Sequence, residues 1–150
     1  MTRFLPDVNT LLALVDPLHV HHDAAHRWYA RRSPLRLLTC PHLENGVIRV
    51  ASQPQYPNSL GTSSRARDIL RNLLRQLKVE RCEQDVSLLD DSVLLKPALL
   101  TPGRVADFYL LALAVANRSR LATFDQRIPA DAVAGGPASL ELVPATPTFP

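Results

Sequence analysis

The sequence predicts an α/β fold in which a central parallel sheet is flanked by helices. Short apolar runs alternate along the chain with segments of helical periodicity, which is the pattern of β-α units. The runs are short and largely apolar, as expected for strands covered on both faces. With 150 residues and no internal repeat, the chain is predicted to form one domain over residues 1–150.

The first elements are a strand at 3–6 and a helix at 9–15. The strand is a short apolar run that ends at a proline, and Asn9 has the residue type that caps a helix start. A second helix is predicted over 22–32, because its apolar residues have helical spacing and Pro34 follows its end.

The middle of the chain repeats this order. An apolar run at 35–40 predicts a buried strand, and the proline at its end favours the first turn of a helix over 41–51. Residues 52–62 contain two prolines and predict a loop long enough to be functional or mobile. A helix from about residue 64 follows, with leucines along one face and arginines along the other.

Five further segments complete the prediction. Residues 85–95 are predicted to be a helix, and 101–117 a buried helix that begins with a threonine cap and a first-turn proline. The short apolar runs at 121–124 and 140–143 predict two more parallel strands. Prolines and small residues predict a frayed tail at 143–150.

Four acidic residues occur where apolar segments begin or end: Asp7, Glu44, Asp107 and Asp125. Asp7 and Asp125 follow predicted strands, and the other two lie in the first turns of predicted helices, so all four can meet at the carboxyl edge of the sheet. A carboxylate beside apolar residues is costly unless it is paired, and a hard cation is a common partner. This arrangement predicts a Mg²⁺ or Mn²⁺ site.

The net charge is 17 − 14 = +3, but the charge is unevenly distributed. Residues 31–81 hold ten Lys and Arg against three Asp and Glu, whereas residues 82–150 hold five against eight. The basic stretch fits either a solvated helix face or a surface for a phosphate backbone. The candidate phosphate-binding residues are Arg65, Arg67, Arg71 and Arg75.

Several classes of protein are disfavoured. The longest apolar segment has 12 residues, which is too short to cross a bilayer, so a soluble, cytoplasmic protein without a membrane partner is expected. Cys40 and Cys82 lie 42 positions apart and form no disulfide framework or zinc spacing, which indicates free thiols. A haloacid-type phosphatase needs an aspartate where Asn9 stands, and the chain has no glycine-rich nucleotide loop.

The histidines between residues 19 and 26 raise a zinc-site hypothesis. His22 and His26 share a predicted helix face, but no Cys or further acid lies at a matching spacing. A role in packing or at the helix start is therefore favoured.

Four sequence blocks, within residues 4–127, resemble the PIN domain. They are Pro6-Asp7-Val8-Asn9-Thr10, Leu43-Glu44-Asn45-Gly46, Val105-Ala106-Asp107-Phe108-Tyr109 and Arg120-Leu121-Ala122-Thr123-Phe124-Asp125. The resemblance is closest to the VapC toxin ribonucleases of bacterial VapBC toxin–antitoxin pairs. One departure is the bulky pair Phe108-Tyr109, which follows the third acid and removes no ligand.

The resemblance implies a toxin that is a Mg²⁺- or Mn²⁺-dependent endoribonuclease. Its catalytic acids would be Asp7, Glu44, Asp107 and Asp125. Asp7 and Asp107 would hold the principal ion, with the other two assisting directly or through water. Asn9 and Thr123 would support the site, the first by orienting Asp7. The implied partners are RNA, a cognate VapB-type antitoxin and a second copy in a homodimer. A PIN-fold interaction module with weak or no nuclease activity is the alternative.

Overall fold

A computed structural model describes residues 1–145 of the chain. Within them it has five strands and five α-helices, joined in places by short 3-10 turns. The elements are β1 (Thr2–Pro6), α1 (Val8–Val15), α2 (His22–Arg32), β2 (Leu35–Thr39), α3 (Pro41–Ala51), α4 (Ser63–Gln76), β3 (Glu80–Arg81), α5 (Val105–Ala116), β4 (Arg120–Thr123) and β5 (Leu140–Leu142).

The strands form one sheet in the order β3-β2-β1-β4-β5, and every neighbouring pair is parallel. This confirms the predicted α/β class. Because parallel strands end at the same edge, the residues after β3, β2, β1 and β4 lie in that order along the carboxyl edge of the sheet. The predicted acids Glu44, Asp7 and Asp125 follow three adjacent strands of this row.

Both faces of the sheet are covered by helices. Phe4 of β1 packs edge-to-face against Trp28 of α2, with ring centroids 5.0 Å apart. The next residue, Leu5, faces the opposite layer and belongs to the core cluster that contains Phe108 of α5 and Leu121 of β4. Consecutive residues of one strand are thus both buried, which explains why the strands are apolar runs without alternation.

Helices α1 and α3 approach each other closely at Gly46. A Cβ at this position would lie 2.7 Å from Cγ2 of Val8, which is far inside van der Waals contact. The absence of a side chain therefore lets the helix that carries Glu44 pack directly against the helix that begins after Asp7.

The loop at 52–62 is held in place by a buried carboxylate. Asp16 accepts hydrogen bonds from the Tyr56 hydroxyl at 2.6 Å and from the Asn58 amide at 2.7 Å. Burial opposes the charge of Asp16, but these hydrogen bonds and one from the Leu18 N–H hold its pKa below the ordinary 3.8. The loop is thus anchored to the end of α1.

Most predicted elements are confirmed to within two residues. The helix predicted over 101–117 begins only at Val105, after a 3-10 turn at Pro102–Arg104. The helix predicted over 85–95 is wrong. The segment is a series of turns in which Asp85, Ser87 and Asp90 accept hydrogen bonds from nearby backbone N–H groups. Such side-chain bonds compete with helical ones. Leu94 then pairs with Val133 as an isolated bridge.

Two further differences concern the strands. The two-residue strand β3 was not predicted, because Glu80 and Arg81 are both charged and exposed. The predicted fraying of 143–150 does not begin at Val143, which is buried and donates its N–H to the Thr123 carbonyl. Residues 146–150 of that tail lie outside the described residues.

In the part of the chain that the structure describes, no helix is both long and apolar enough to span a membrane. Cys40 is buried and Cys82 is partly buried, and both are free thiols, as predicted.

Candidate active site

Asp7 lies between β1 and α1 and is held by two hydrogen bonds. Its Oδ1 accepts from the Thr10 N–H at 2.8 Å, which makes Asp7 the N-cap of α1. Its Oδ2 accepts from the Thr123 hydroxyl at 2.6 Å. The same hydroxyl accepts from the Asp125 N–H at 3.0 Å, so one threonine at the end of β4 connects two of the predicted acids.

Asp107 and Asp125 are joined by an arginine that was not predicted to belong to the site. Nη1 of Arg104 donates to Oδ2 of Asp107 at 3.1 Å and to Oδ2 of Asp125 at 2.7 Å. The Arg104 and Asp107 side chains are each 22% exposed, so this contact is largely shielded from solvent. Arg104 precedes Asp107 by three residues at the start of α5, a spacing that brings side chains together on a helix.

The three aspartates influence each other electrostatically. Burial raises the pKa of Asp107 above its ordinary value, and the charges of Asp7 and Asp125 act in the same direction, while Arg104 opposes them. The pKa of Asp125 is lowered, first by the hydrogen bond from the Arg127 N–H and then by Arg104. The hydrogen bonds to Asp125 and Asp107 in turn raise the pKa of Arg104. The negative charge of Asp107 is therefore less stabilised than that of Asp125.

Glu44 lies apart from this trio. Its Oε2 accepts from the Thr39 hydroxyl at 2.9 Å, and Nη2 of Arg81 lies 3.3 Å from each carboxylate oxygen. In the described residues, Glu44 shares no hydrogen-bonding partner with the aspartates. Glu44 lies in the first turn of α3, directly after β2, and β2 is the neighbour of β1, the strand that precedes Asp7.

A basic groove of about 720 Å³ opens next to Glu44. Its walls carry five cations, and its floor is partly apolar, formed by residues such as Leu70 and Leu74. The cations are Arg67, Arg71, Arg75, Lys78 and Arg81. Three of the four predicted phosphate-binding residues therefore line one groove, whereas Arg65 lies outside its lining.

The predicted role of Asn9 differs from what the structure shows. Its Oδ1 contacts Nε2 of His19 at 2.8 Å, and the Asp7 carboxylate is bound by Thr10 and Thr123 instead. Nδ1 of His19 accepts from the His21 N–H, so Nε2 carries the proton that is donated to Asn9. His19 thus holds the side chain of Asn9, two residues after Asp7. No group of His, Cys, Asp or Glu in residues 1–145 is arranged to hold zinc or another metal ion as it stands.

The chemistry of the donor set nevertheless fits a divalent ion. Three carboxylates converge, one of them with a raised pKa, and the position between two of them is already taken by a cationic guanidinium. Oxygen ligands with excess negative charge are what Mg²⁺ and Mn²⁺ require. In this structure, the Asp107 and Asp125 carboxylates are positioned around the guanidinium of Arg104.

Comparison with known proteins gives the same assignment along nearly the whole chain. The PIN domain family model matches residues 4–134. Ribonuclease VapC44 of Mycobacterium tuberculosis is 41% identical over 133 residues, which cover 89% of this chain and 93% of that protein. Ribonuclease VapC38 of the same organism is 37% identical over 81% of this chain and 84% of its own length. Ribonuclease VapC39, also of Mycobacterium tuberculosis, is 36% identical over 90% of this chain and 96% of its own length.

Proposed function

The chain belongs to the PIN domain family, and from this premise we propose that it is a VapC-type toxin, a metal-dependent endoribonuclease that hydrolyses RNA phosphodiester bonds. The observation that carries the proposal is the convergence of Asp7, Asp107 and Asp125 through Thr123 and Arg104. The VapC relatives, each named a ribonuclease, support the same activity.

Asp7 and Asp107 would hold a Mg²⁺ or Mn²⁺ ion, with Asp125 and Glu44 assisting directly or through water. When bound, such an ion supplies an activated water and neutralises the charge that develops on the phosphate. The chain's own contribution is to fix the carboxylates. Thr123 orients Asp7, and the Arg127 N–H orients Asp125 through a 2.8 Å hydrogen bond.

The sheet order also suggests where RNA would lie. The basic groove opens at the β3–β2 side of the carboxyl edge, and the aspartates occupy the β1–β4 side. Glu44 lies between them. A single strand whose phosphates follow the groove cations would therefore pass Glu44 and reach the aspartates.

The experiment that tests the function is incubation of the purified protein with RNA in Mg²⁺ and in EDTA. We expect internal cleavage that appears with Mg²⁺ and stops with EDTA. If RNA remains intact in both, at a protein concentration that saturates binding, the chain is instead a PIN-fold interaction module with weak or no nuclease activity.

The groove arginines give a separate prediction about RNA binding. Replacing Arg67, Arg71 and Arg75 together by Gln should weaken binding to single-stranded RNA of any sequence. Each lost phosphate contact should reduce the slope of log K against log salt by about 0.7, because fewer counterions are released. The slope is measured by fluorescence anisotropy in EDTA, so that the RNA stays uncleaved.

Arg65 provides the matched control, because it lies on the same helix but outside the groove lining. We expect Arg71→Gln to reduce the salt slope and Arg65→Gln to leave it unchanged. Equal effects of the two single variants would show that the helix attracts RNA only through its general charge.

We further propose a cognate VapB-type antitoxin as partner, a homodimeric state and action on RNA in the cytoplasm. The VapC names of the relatives support the antitoxin. Leu18 and Val20 are 72% and 86% exposed and offer an apolar contact for a partner. Co-purification with the product of the adjacent upstream reading frame tests the antitoxin, and light scattering of the isolated chain tests the dimer.

A further inference from the structure

Arg104 is the cation closest to the centre of the site. A single nitrogen, Nη1, contacts one oxygen of Asp107 and one oxygen of Asp125. The 2.7 Å contact with Asp125 has the length of a charge-assisted hydrogen bond, whereas the 3.1 Å contact with Asp107 is longer. The contact with Asp107 is the more shielded one, because the Arg104 and Asp107 side chains are each 22% exposed and the Asp125 side chain is 40% exposed. Arg104 thus occupies an oxygen of Asp107, one of the two carboxylates that hold the metal ion in the proposed function.

Resting on the proposed function, we infer that Arg104 is a positioning residue that holds Asp107 and Asp125 together without metal and competes with the divalent ion for Oδ2 of Asp107. A guanidinium and a divalent ion bound to one carboxylate oxygen would repel each other strongly at such short range. Ion binding must therefore move the Arg104 guanidinium away, and the contacts it loses oppose ion binding.

Two consequences follow for the metal-free and metal-bound protein. Without metal, Arg104 offsets the repulsion among the aspartates, so that the site keeps its shape. With metal, the affinity for the ion is lower than the carboxylates alone would give. Arg104 thereby sets the concentration at which the ion enters the site.

Arg127 offers a matched comparison. It is an exposed arginine two residues after Asp125, and its backbone N–H rather than its guanidinium donates to that carboxylate. Arg127→Gln therefore removes the same charge near the site without removing a side-chain bond to the acids. The difference between the two variants separates direct competition from a general change in electrostatic potential.

The test is a titration of metal-free wild type, Arg104→Gln, Arg104→Lys and Arg127→Gln with Mn²⁺, followed by the electron paramagnetic resonance of the free ion. We expect Arg104→Gln to bind Mn²⁺ about fivefold more tightly than wild type, which is the upper end of what a solvent-accessible ion pair contributes. Arg104→Lys should change the affinity less, because Lys keeps the charge. Arg127→Gln should remain within about twofold of wild type, as expected for an exposed charge.

The outcomes distinguish this inference from the proposed function. If every variant binds Mn²⁺ with equal affinity, the competition by Arg104 is refuted while the metal site stands. Equal tightening by Arg104→Gln and Arg127→Gln also refutes it. If neither wild type nor any variant binds Mn²⁺, the metal site itself is wrong and the inference is overturned with it. If Arg104→Gln does not fold, Arg104→Met, which also lacks the charge, takes its place, and wild-type Mn²⁺ affinity in that variant refutes the inference.

Discussion

Asp107→Asn protein is expected to cleave RNA at least about 10³-fold more slowly than wild type in Mg²⁺ while remaining folded. The substitution removes a negatively charged ligand at the centre of the proposed site. A metal ion stabilises the negative charge that develops in the transition state by several kcal/mol. A loss of about 4 kcal/mol of this stabilisation corresponds to a rate that is about 10³-fold lower. Cleavage of a labelled RNA at saturating protein measures the effect.

The stability of the metal-free protein should respond differently. Because the pKa of Asp107 is raised in the folded state, its carboxyl favours folding only at low pH, and that contribution is lost as the pH rises from 3.8 through the raised pKa. At neutral pH we therefore expect Asp107→Asn to be as stable as wild type or slightly more stable, by up to about 1 kcal/mol in urea unfolding with EDTA. The gain in free energy of unfolding of Asp107→Asn over wild type should disappear at acidic pH.

Asp131→Asn is the control, because Asp131 is an exposed acid that forms its ion pair with Lys96 and does not belong to the aspartate trio. It should cleave RNA at the wild-type rate. Wild-type turnover in folded, Mg²⁺-saturated Asp107→Asn would refute the proposed site.

The sheet and its carboxyl edge could be predicted because strands buried on both faces have consecutive apolar residues in the sequence. Leu5 and Leu38 face one layer and Phe4 and Leu37 the other, so β1 and β2 each contain consecutive apolar residues. The acids could be predicted for a related reason, since a charged residue directly after an apolar run is costly to bury and indicates a functional site. The structure places three of them where the parallel strand order requires.

The remaining features depend on contacts between distant segments. Arg81 reaches Glu44 only because β3 joins the sheet beside β2, and a charged two-residue strand carries no apolar pattern. The N-cap of α1 was assigned to Asn9, although Asp7 fills that position, because residue type alone does not distinguish two capping residues two positions apart. Arg104 was predictable in principle from its spacing of three residues before Asp107.

Thr123 should prove to be the residue on which the geometry of the acids depends. Its side chain is fully buried, and its hydroxyl connects Oδ2 of Asp7 with the N–H of Asp125. Thr123→Val keeps the shape but leaves a carboxylate oxygen and an N–H without this partner, which should cost about 1–3 kcal/mol of folding free energy. A displacement of Asp7 by about 1 Å would lower the rate of RNA cleavage by about 10²-fold.

Thr123→Ser is the decisive control because it retains the hydroxyl and loses only a methyl group. We expect the Ser variant to keep most of the cleavage rate and of the Mn²⁺ affinity, and the Val variant to lose both at a temperature where each protein is fully folded. Loss of stability alone would lower neither quantity under those conditions, so the comparison isolates the orientation of the acids. If the Val and Ser variants cleave RNA at the same rate, the hydroxyl contributes to folding alone, and the position of Asp7 must depend on its cap to Thr10.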